Sequence, residues 1–268
     1  MASVVWSEWL GAQAEARRTS GLERVLRPRA ADDASIDLAG NDYLGLARDP
    51  RVTAAAADAA LLWGAGAGAS RLVTGTLDLH ASLEGALAGY LDQPAALVLS
   101  TGYHANLGLV AALADRDTLV VSDAHIHASL IDAVRLSRAR LEVVAHNDVD
   151  AVRRALGGAS SGQRVLVLVE SVYSVLGDAA PLVELASVCS EAEALLVVDE
   201  AHGLGVHGPG LVHAAGLARQ PHVVVTATLS KALGSQGGAV LGDPAIIEHL
   251  VNAARPFIFD TGLAPAAA

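Results

Sequence analysis

Short apolar runs of strand length recur through the chain, at residues 95–99, 119–122, 141–145, 165–169, 195–198 and 223–225. Between most of them apolar positions return every three or four residues, as at 105–113, 130–138 and 149–156, which is helical spacing. Runs that are apolar at every position, not at alternate ones, belong to strands buried on both faces. The pattern predicts an α/β fold, a mostly parallel sheet sandwiched by helices. Ahead of the first strand it predicts a helix over 52–63, a glycine-rich loop over 64–71, and a helix carrying Leu83, Leu87 and Leu91. A further helix is expected over 246–254. The polar, arginine-rich start has helical spacing at Leu10, Ala14, Arg17 and Arg18. It reads as an N-terminal helical arm over 1–38, with a large domain over 39–268. No repeat of fixed period is visible.

Composition narrows this picture. Of 268 residues, 52% are hydrophobic, too many for a disordered chain. No apolar run reaches the roughly 18 residues needed to cross a bilayer. The first ten residues contain Glu8 and no cationic start, unlike a secretion signal. A single cysteine, Cys189, can form no internal disulfide, so a reducing, cytoplasmic setting is expected. The net charge of -11 argues against a nucleic-acid surface.

One residue type changes the picture more than any other. Lys231 is the only lysine in the chain, against seventeen arginines. Lysine can lose its proton near neutral pH and then attack an aldehyde, which arginine cannot do. Lys231 follows the run 223–225, together with Thr228 and Ser230. Other strand ends are equally polar. The run 195–198 delivers Asp199, then Glu200 and His202; the run 165–169 delivers Glu170, then Ser171 and Ser174. The first run ends in Ser100, Thr101, Gly102 and Tyr103 at the start of a helix, where free N–H groups favour an anion.

Each residue also has a structural reading. Asp199, Ser174 and Thr228 suit caps and turns, Glu170 a solvated strand end, His202 a satisfied loop histidine, and His127 a cap. Together, at successive strand ends where ligands collect in such sheets, they fit pyridoxal 5'-phosphate. That cofactor needs a lysine to hold it, an acid at its ring nitrogen and a donor cup for its phosphate.

Other chemistries fit less well. Gly203-Leu-Gly-Val-His-Gly208 matches a dinucleotide fingerprint, but Pro209 and Gly210 follow in place of a clean helix, and no acidic residue ends a strand about 20 residues on. His125, His127, Asp199 and His202 have no standard metal-ligand spacing. The Gly-x-Ser-x-Gly signature of nucleophile-elbow hydrolases is absent.

Several motifs then fall in order. They are Ser-Arg-Leu-Val-Thr-Gly-Thr76 with His80 and Glu84, Ser-Thr-Gly-Tyr-His-Ala-Asn106, His-Ala-Ser-Leu130, Ala-His-Asn-Asp148, Glu-Ser-Val-Tyr-Ser174, Asp-Glu-Ala-His-Gly203 and Thr-Leu-Ser-Lys-Ala-Leu-Gly234. From about Trp6 to the last residue the chain resembles the α-oxoamine synthases, pyridoxal-phosphate enzymes of the aspartate-aminotransferase fold.

The resemblance implies decarboxylative condensation of an amino acid with an acyl thioester. In the branch most similar to this chain the pair is L-alanine and a pimeloyl thioester; sibling enzymes use glycine or serine. It implies that Lys231 holds the cofactor and moves the substrate's α-proton, and that Asp199 pairs with the ring nitrogen. His127 would stack on the ring and contact substrate, with His202 and Ser174 near the phenolic oxygen. Gly102, Tyr103 and Thr228 would bind the cofactor at its phosphate, with Glu170 in the same pocket. Ser230 joins the cofactor-binding set, although the family often carries glycine there. Arg24 aligns with a substrate-contacting arginine, and an exposed helix charge is its alternative reading. The resemblance also implies a homodimer with active sites at the interface, Thr261 serving the neighbouring subunit's phosphate site. It leads to the expectation that a C-terminal small domain is absent from this chain, leaving a cofactor-binding fragment whose own activity is open.

Overall fold

The structure, a computed structural model, describes residues 3–268; the first two residues of the arm predicted over 1–38 lie outside it. The chain divides into two units, one ending at Ala39 and one spanning Gly40–Ala268. In the first, helix α1 (Val4–Thr19) ends on Arg17 and Arg18, cations suited to the negative end of the helix dipole. None of its residues is buried. Beyond it the backbone is irregular, with Arg29 paired to Asp33 and Asp37.

The second unit is built on a seven-stranded sheet in the order β1-β7-β6-β5-β4-β2-β3. The strands are β1 (Ala95–Leu99), β2 (Leu119–Asp123), β3 (Arg140–Val144), β4 (Val165–Glu170), β5 (Leu195–Asp199), β6 (Val223–Thr228) and β7 (Gly238–Gly242). All six predicted runs form strands. From β3 across to β6 the pairing is parallel. β7 lies antiparallel between β1 and β6 and was not foreseen. Its apolar stretch is only Ala239, Val240 and Leu241, set between glycines. The opening glycine has a steric cause, since a Cβ on Gly238 would lie 2.4 Å from the Gly102 nitrogen.

The helices are α2 (Pro50–Trp63), α3 (Asp78–Tyr90), α4 (Gly102–Leu113), α5 (Ala128–Ser137), α6 (Val149–Gly157), α7 (Leu182–Glu191), α8 (Leu211–Ala214), α9 (Pro244–Ala253) and α10 (Arg255–Ile258). Among the described residues, no helix is long and apolar enough to cross a membrane.

Uniformly apolar strands follow from helices on both faces. In β4, Val165, Val167 and Val169 enter one core with Val152 of α6 and Leu185 of α7. Leu166 and Leu168 enter the other with Leu109 of α4, Leu130 of α5 and Leu250 of α9. Each such side chain contributes about 1.5–3 kcal/mol when fully buried, so a polar substitution on either face of β4 is costly. Edge strand β3 escapes this, with four of its five residues exposed.

Because β2, β4, β5 and β6 run parallel, their carboxyl ends share one edge of the sheet. β1 joins them there, since Leu99 pairs with Gly238, which also pairs with Thr228. The polar residues that follow these strands are thereby gathered at one place.

Candidate active site

A cavity of about 240 Å3 opens at this edge. Its lining includes Gly102 and Tyr103 from α4, His127 before α5, Glu170 from β4, Asp199 from β5, His202, and Thr228, Ser230 and Lys231 from the end of β6 onward. Nine of the residues singled out in the sequence thus meet around one space.

Asp199 is the last residue of β5 and is almost fully buried. A carboxylate there needs donors, and it has two. The Ala201 N–H donates to Oδ1 at 2.9 Å and Asn106 Nδ2 to Oδ2 at 2.7 Å. Asn106 is held in turn, its Oδ1 accepting from the Thr226 hydroxyl at 2.6 Å and its Nδ2 also donating to Ser129 Oγ at 2.8 Å. Ser129 Oγ stands 2.7 Å from His127 Nδ1, which also accepts from the Ser129 N–H at 3.2 Å. The network fixes His127 with Nδ1 as acceptor, capping α5 and leaving the other ring nitrogen as the N–H.

Lys231 lies in the connection between β6 and β7, half-buried, with Nζ 2.7 Å from His202 Nε2. Burial lowers its pKa, while the charges of Asp199 and Glu170 oppose the fall. Burial, then the Lys231 charge, pushes His202 down to about 4, so its ring is neutral at neutral pH. His202 Nδ1 lies 2.7 Å from the Tyr43 hydroxyl.

Glu170 is buried beside these groups. Burial, followed by the Asp199 charge, pushes it up to about 7. Its Oε2 accepts from the Ser174 N–H at 2.9 Å, while Oε1 is buried without a hydrogen bond.

At the β1 side of the cavity, Thr101 caps α4, its hydroxyl accepting from the His104 N–H. That leaves the Gly102 and Tyr103 N–H groups of the first turn for a ligand. The Thr228 and Ser230 hydroxyls, 2.8 Å apart, also line this space. The Tyr103 hydroxyl itself is committed to Asp132.

Other predicted residues lie elsewhere. Ser174 is exposed, off the cavity lining, and acts through its backbone on Glu170. Arg24 is an exposed residue of the N-terminal unit. Thr261 pairs with Ser70 across an isolated β-bridge. The 203–208 glycines make no dinucleotide loop. Gly205 and Gly208 close a tight bridge, and a Cβ on Gly203 would lie 2.0 Å from Glu200 Oε2. Buried Glu200 accepts from the Ser171 hydroxyl and the Val212 N–H, so these glycines give clearance to a carboxylate inside the fold. Among the described residues, no three His, Cys, Asp or Glu side chains form a group able to hold a metal. His125 instead stacks edge-on against His146.

Sequence reasoning missed Asn106, Ser129, Thr226 and Tyr43 as site residues. The available signal was an asparagine within the apolar stretch 105–113 of α4, four residues after Gly102.

Residues 33–268 match the family model "Aminotransferase class I and II", and the chain belongs to that pyridoxal-phosphate-dependent family. Its curated relatives within the family include 8-amino-7-oxononanoate synthases. That of Mycolicibacterium paratuberculosis is 58% identical over 261 residues, covering 97% of this chain and 68% of the relative. That of Mycobacterium marinum is 56% identical over 261 residues, covering 97% and 67%. Among solved structures, Sphingomonas wittichii serine palmitoyltransferase superposes with a TM-score of 0.88 at 33% identity, covering 100% of this chain and 70% of that one. A high-resolution structure named SPT with pyridoxal phosphate gives 0.87 at 32% identity, covering 100% and 70%.

Proposed function

We propose that this chain is a pyridoxal-phosphate-dependent acyltransferase of the 8-amino-7-oxononanoate synthase type. It joins L-alanine to a pimeloyl thioester with loss of carbon dioxide, a step of biotin biosynthesis, working in the cytoplasm as a homodimer. The observation that carries this reading is the convergence of Lys231, Asp199 and the α4 N-terminus on one cavity.

The donor set suits the cofactor. Asp199, fixed by Asn106 and the Ala201 N–H, offers an oriented carboxylate to a ring N–H. The first-turn amides of α4 and the Thr228 and Ser230 hydroxyls suit a phosphate. The buried, unpaired Glu170 Oε1 is a polar atom left for a ligand to satisfy. When bound, pyridoxal phosphate supplies an aldehyde carbon that an amine can hold covalently and a cationic ring that draws electrons from the substrate's α-carbon.

Each residue then has a task. Lys231 would hold the cofactor, and its freed amine would accept the substrate's α-proton onto Nζ. Asp199 would keep the ring nitrogen protonated, through a charge-assisted hydrogen bond worth roughly 1.5–3 kcal/mol. His127 would face the ring and meet substrate, and His202 would act near the phenolic oxygen. Ser174 contributes there through its hold on Glu170. Arg24, in the arm, receives substrate. Thr261 serves the phosphate site of the second subunit, and residues 39–268 act as the cofactor-binding domain.

The test is an absorbance scan with added pyridoxal phosphate, then borohydride reduction and peptide mass analysis. A bleachable band and a reduced adduct on the Lys231 peptide are expected. A well-folded preparation with no adduct there overturns the reading. Alanine, glycine and serine, added separately to the loaded protein, then separate the alanine-using type from its siblings by which one perturbs the band.

A further inference from the structure

His146 stands between two acids that come from different parts of the sheet. Its Nδ1 lies 2.9 Å from Asp123 Oδ1, at the end of β2, and its Nε2 lies 2.9 Å from Asp178 Oδ2, beyond β4. Each contact of a nitrogen with a carboxylate oxygen needs a proton, and a neutral imidazole carries only one. Neighbouring donors do not make up the difference. Asn147 commits its two amide hydrogens to Asp178 Oδ2 at 3.0 Å and the Ala179 carbonyl at 3.1 Å. Asp123 already accepts from the His125 N–H and the Asn147 N–H, both at 2.8 Å, as an ionised acid does. A ring protonated on both nitrogens satisfies both acids at once.

The two acids anchor segments that lead to opposite parts of the cavity lining. Asp123 Oδ1 holds the backbone of His125, two residues before His127. Asp178 belongs to segment 171–180, which leaves β4 at Glu170 and folds back on itself. There the Tyr173 N–H donates to the Asp178 carbonyl at 2.9 Å, and Val172 bridges to Ala179. Ser174, whose N–H holds Glu170, lies within that segment.

We propose that His146 is a positioning residue, an imidazolium strut that ties segment 124–127 to segment 171–180 and so sets His127 and Glu170 around the cavity. Three other groups face its ring. The His125 ring lies edge-on at 5.0 Å, the Tyr173 ring at 4.4 Å, and the Asn147 amide nitrogen stands 3.4 Å from Nε2. None of these supplies a negative charge, since burial keeps the Tyr173 phenol from ionising. Burial works against the charge on His146, but its bonds to Asp123 and Asp178 outweigh that, and its pKa lies above the ordinary value. The strut is therefore at full strength below the ordinary histidine pKa of about 6.5 and is lost as pH rises through the raised folded value.

The inference rests on His127 and Glu170 as parts of the proposed site, yet its test uses the chain without cofactor, so the two fail separately. Nitrogen-15 spectra of histidine-labelled protein, assigned against His146→Gln, report how many ring nitrogens of His146 carry hydrogen as pH is varied. Amide hydrogen exchange, corrected for intrinsic rates, reports protection of the His125 and Tyr173 N–H groups over the same range. Wild-type His146 is expected to titrate above pH 6.5, with both amides losing protection at its midpoint. Asp178→Asn, a change at an exposed position, should lower that midpoint by about one pH unit and weaken both protections by up to about tenfold. A wild-type ring carrying one proton at pH 6.5 overturns the proposal, even if the variant fails to fold. So does His125 protection that ignores the titration of His146, because a contact that served only segment 171–180 would leave that amide unmoved.

Discussion

Asn106 Nδ2 meets Asp199 Oδ2 at 2.7 Å although 93 residues separate them in sequence. Asn106→Ala would leave a carboxylate oxygen and the Thr226 hydroxyl buried without this partner. The cost expected is about 1–3 kcal/mol, read as a lower denaturant midpoint. Asn106→Asp would set a second acid beside Asp199, and the expected readout is faster loss of pyridoxal phosphate on dialysis.

Glu170 makes stability depend on pH with a definite sign. Its carboxyl rises to about 7 in the folded chain from an ordinary value of 4.5. Between those values the folded state binds the extra proton, so stability falls as pH rises through the window. The loss is at most about 3 kcal/mol. Denaturation at pH 5 and pH 8 should show it, and Glu170→Gln should narrow the difference between the two.

Gly203→Ala is expected to be severely destabilising, by roughly 2–4 kcal/mol, because the new Cβ would overlap the Glu200 carboxylate. Gly208→Ala has open space and only an unfavourable left-handed backbone, at φ +60, to contend with. Its cost should stay near ~1 kcal/mol. Thermal midpoints of the two variants separate clearance for Glu200 from phosphate approach, which would make both glycines matter together.

Arg71 ties the glycine-rich loop to the sheet. It pairs with Glu84 at 3.0 Å and donates to the Val98 carbonyl, while Glu84 accepts from the Val98 N–H. Both side chains are largely buried, so Arg71→Ala strands the Glu84 charge. A loss of about 3–5 kcal/mol is expected in chemical denaturation.

What the sequence revealed follows from where polar atoms sit. Asp199, Glu170 and Lys231 were legible because they end or follow uniformly apolar strands, and in a parallel sheet those ends share an edge. Asn106, Ser129 and Thr226 sit within elements, where a lone polar residue gives no hint of its distant partner. Tyr43 is 159 residues from His202, and only the fold brings them together. β7 was hidden by the glycines that flank it, of which Gly238 lets the strand approach α4. The dinucleotide-like glycines misled for the opposite reason, since their spacing matched a motif while their space belongs to Glu200.

The tether of Lys231 is short and fastened at both ends. Thr228 and Gly238 face each other across paired strands, the Leu229 N–H donates to the Gly237 carbonyl, and the Ser235 N–H to the Leu229 carbonyl. The main chain at the lysine therefore has little freedom to wander. Any travel of the nitrogen between one bonding partner and the next must come from rotation about its own four methylenes, which makes the side chain a swinging arm on a fixed pivot.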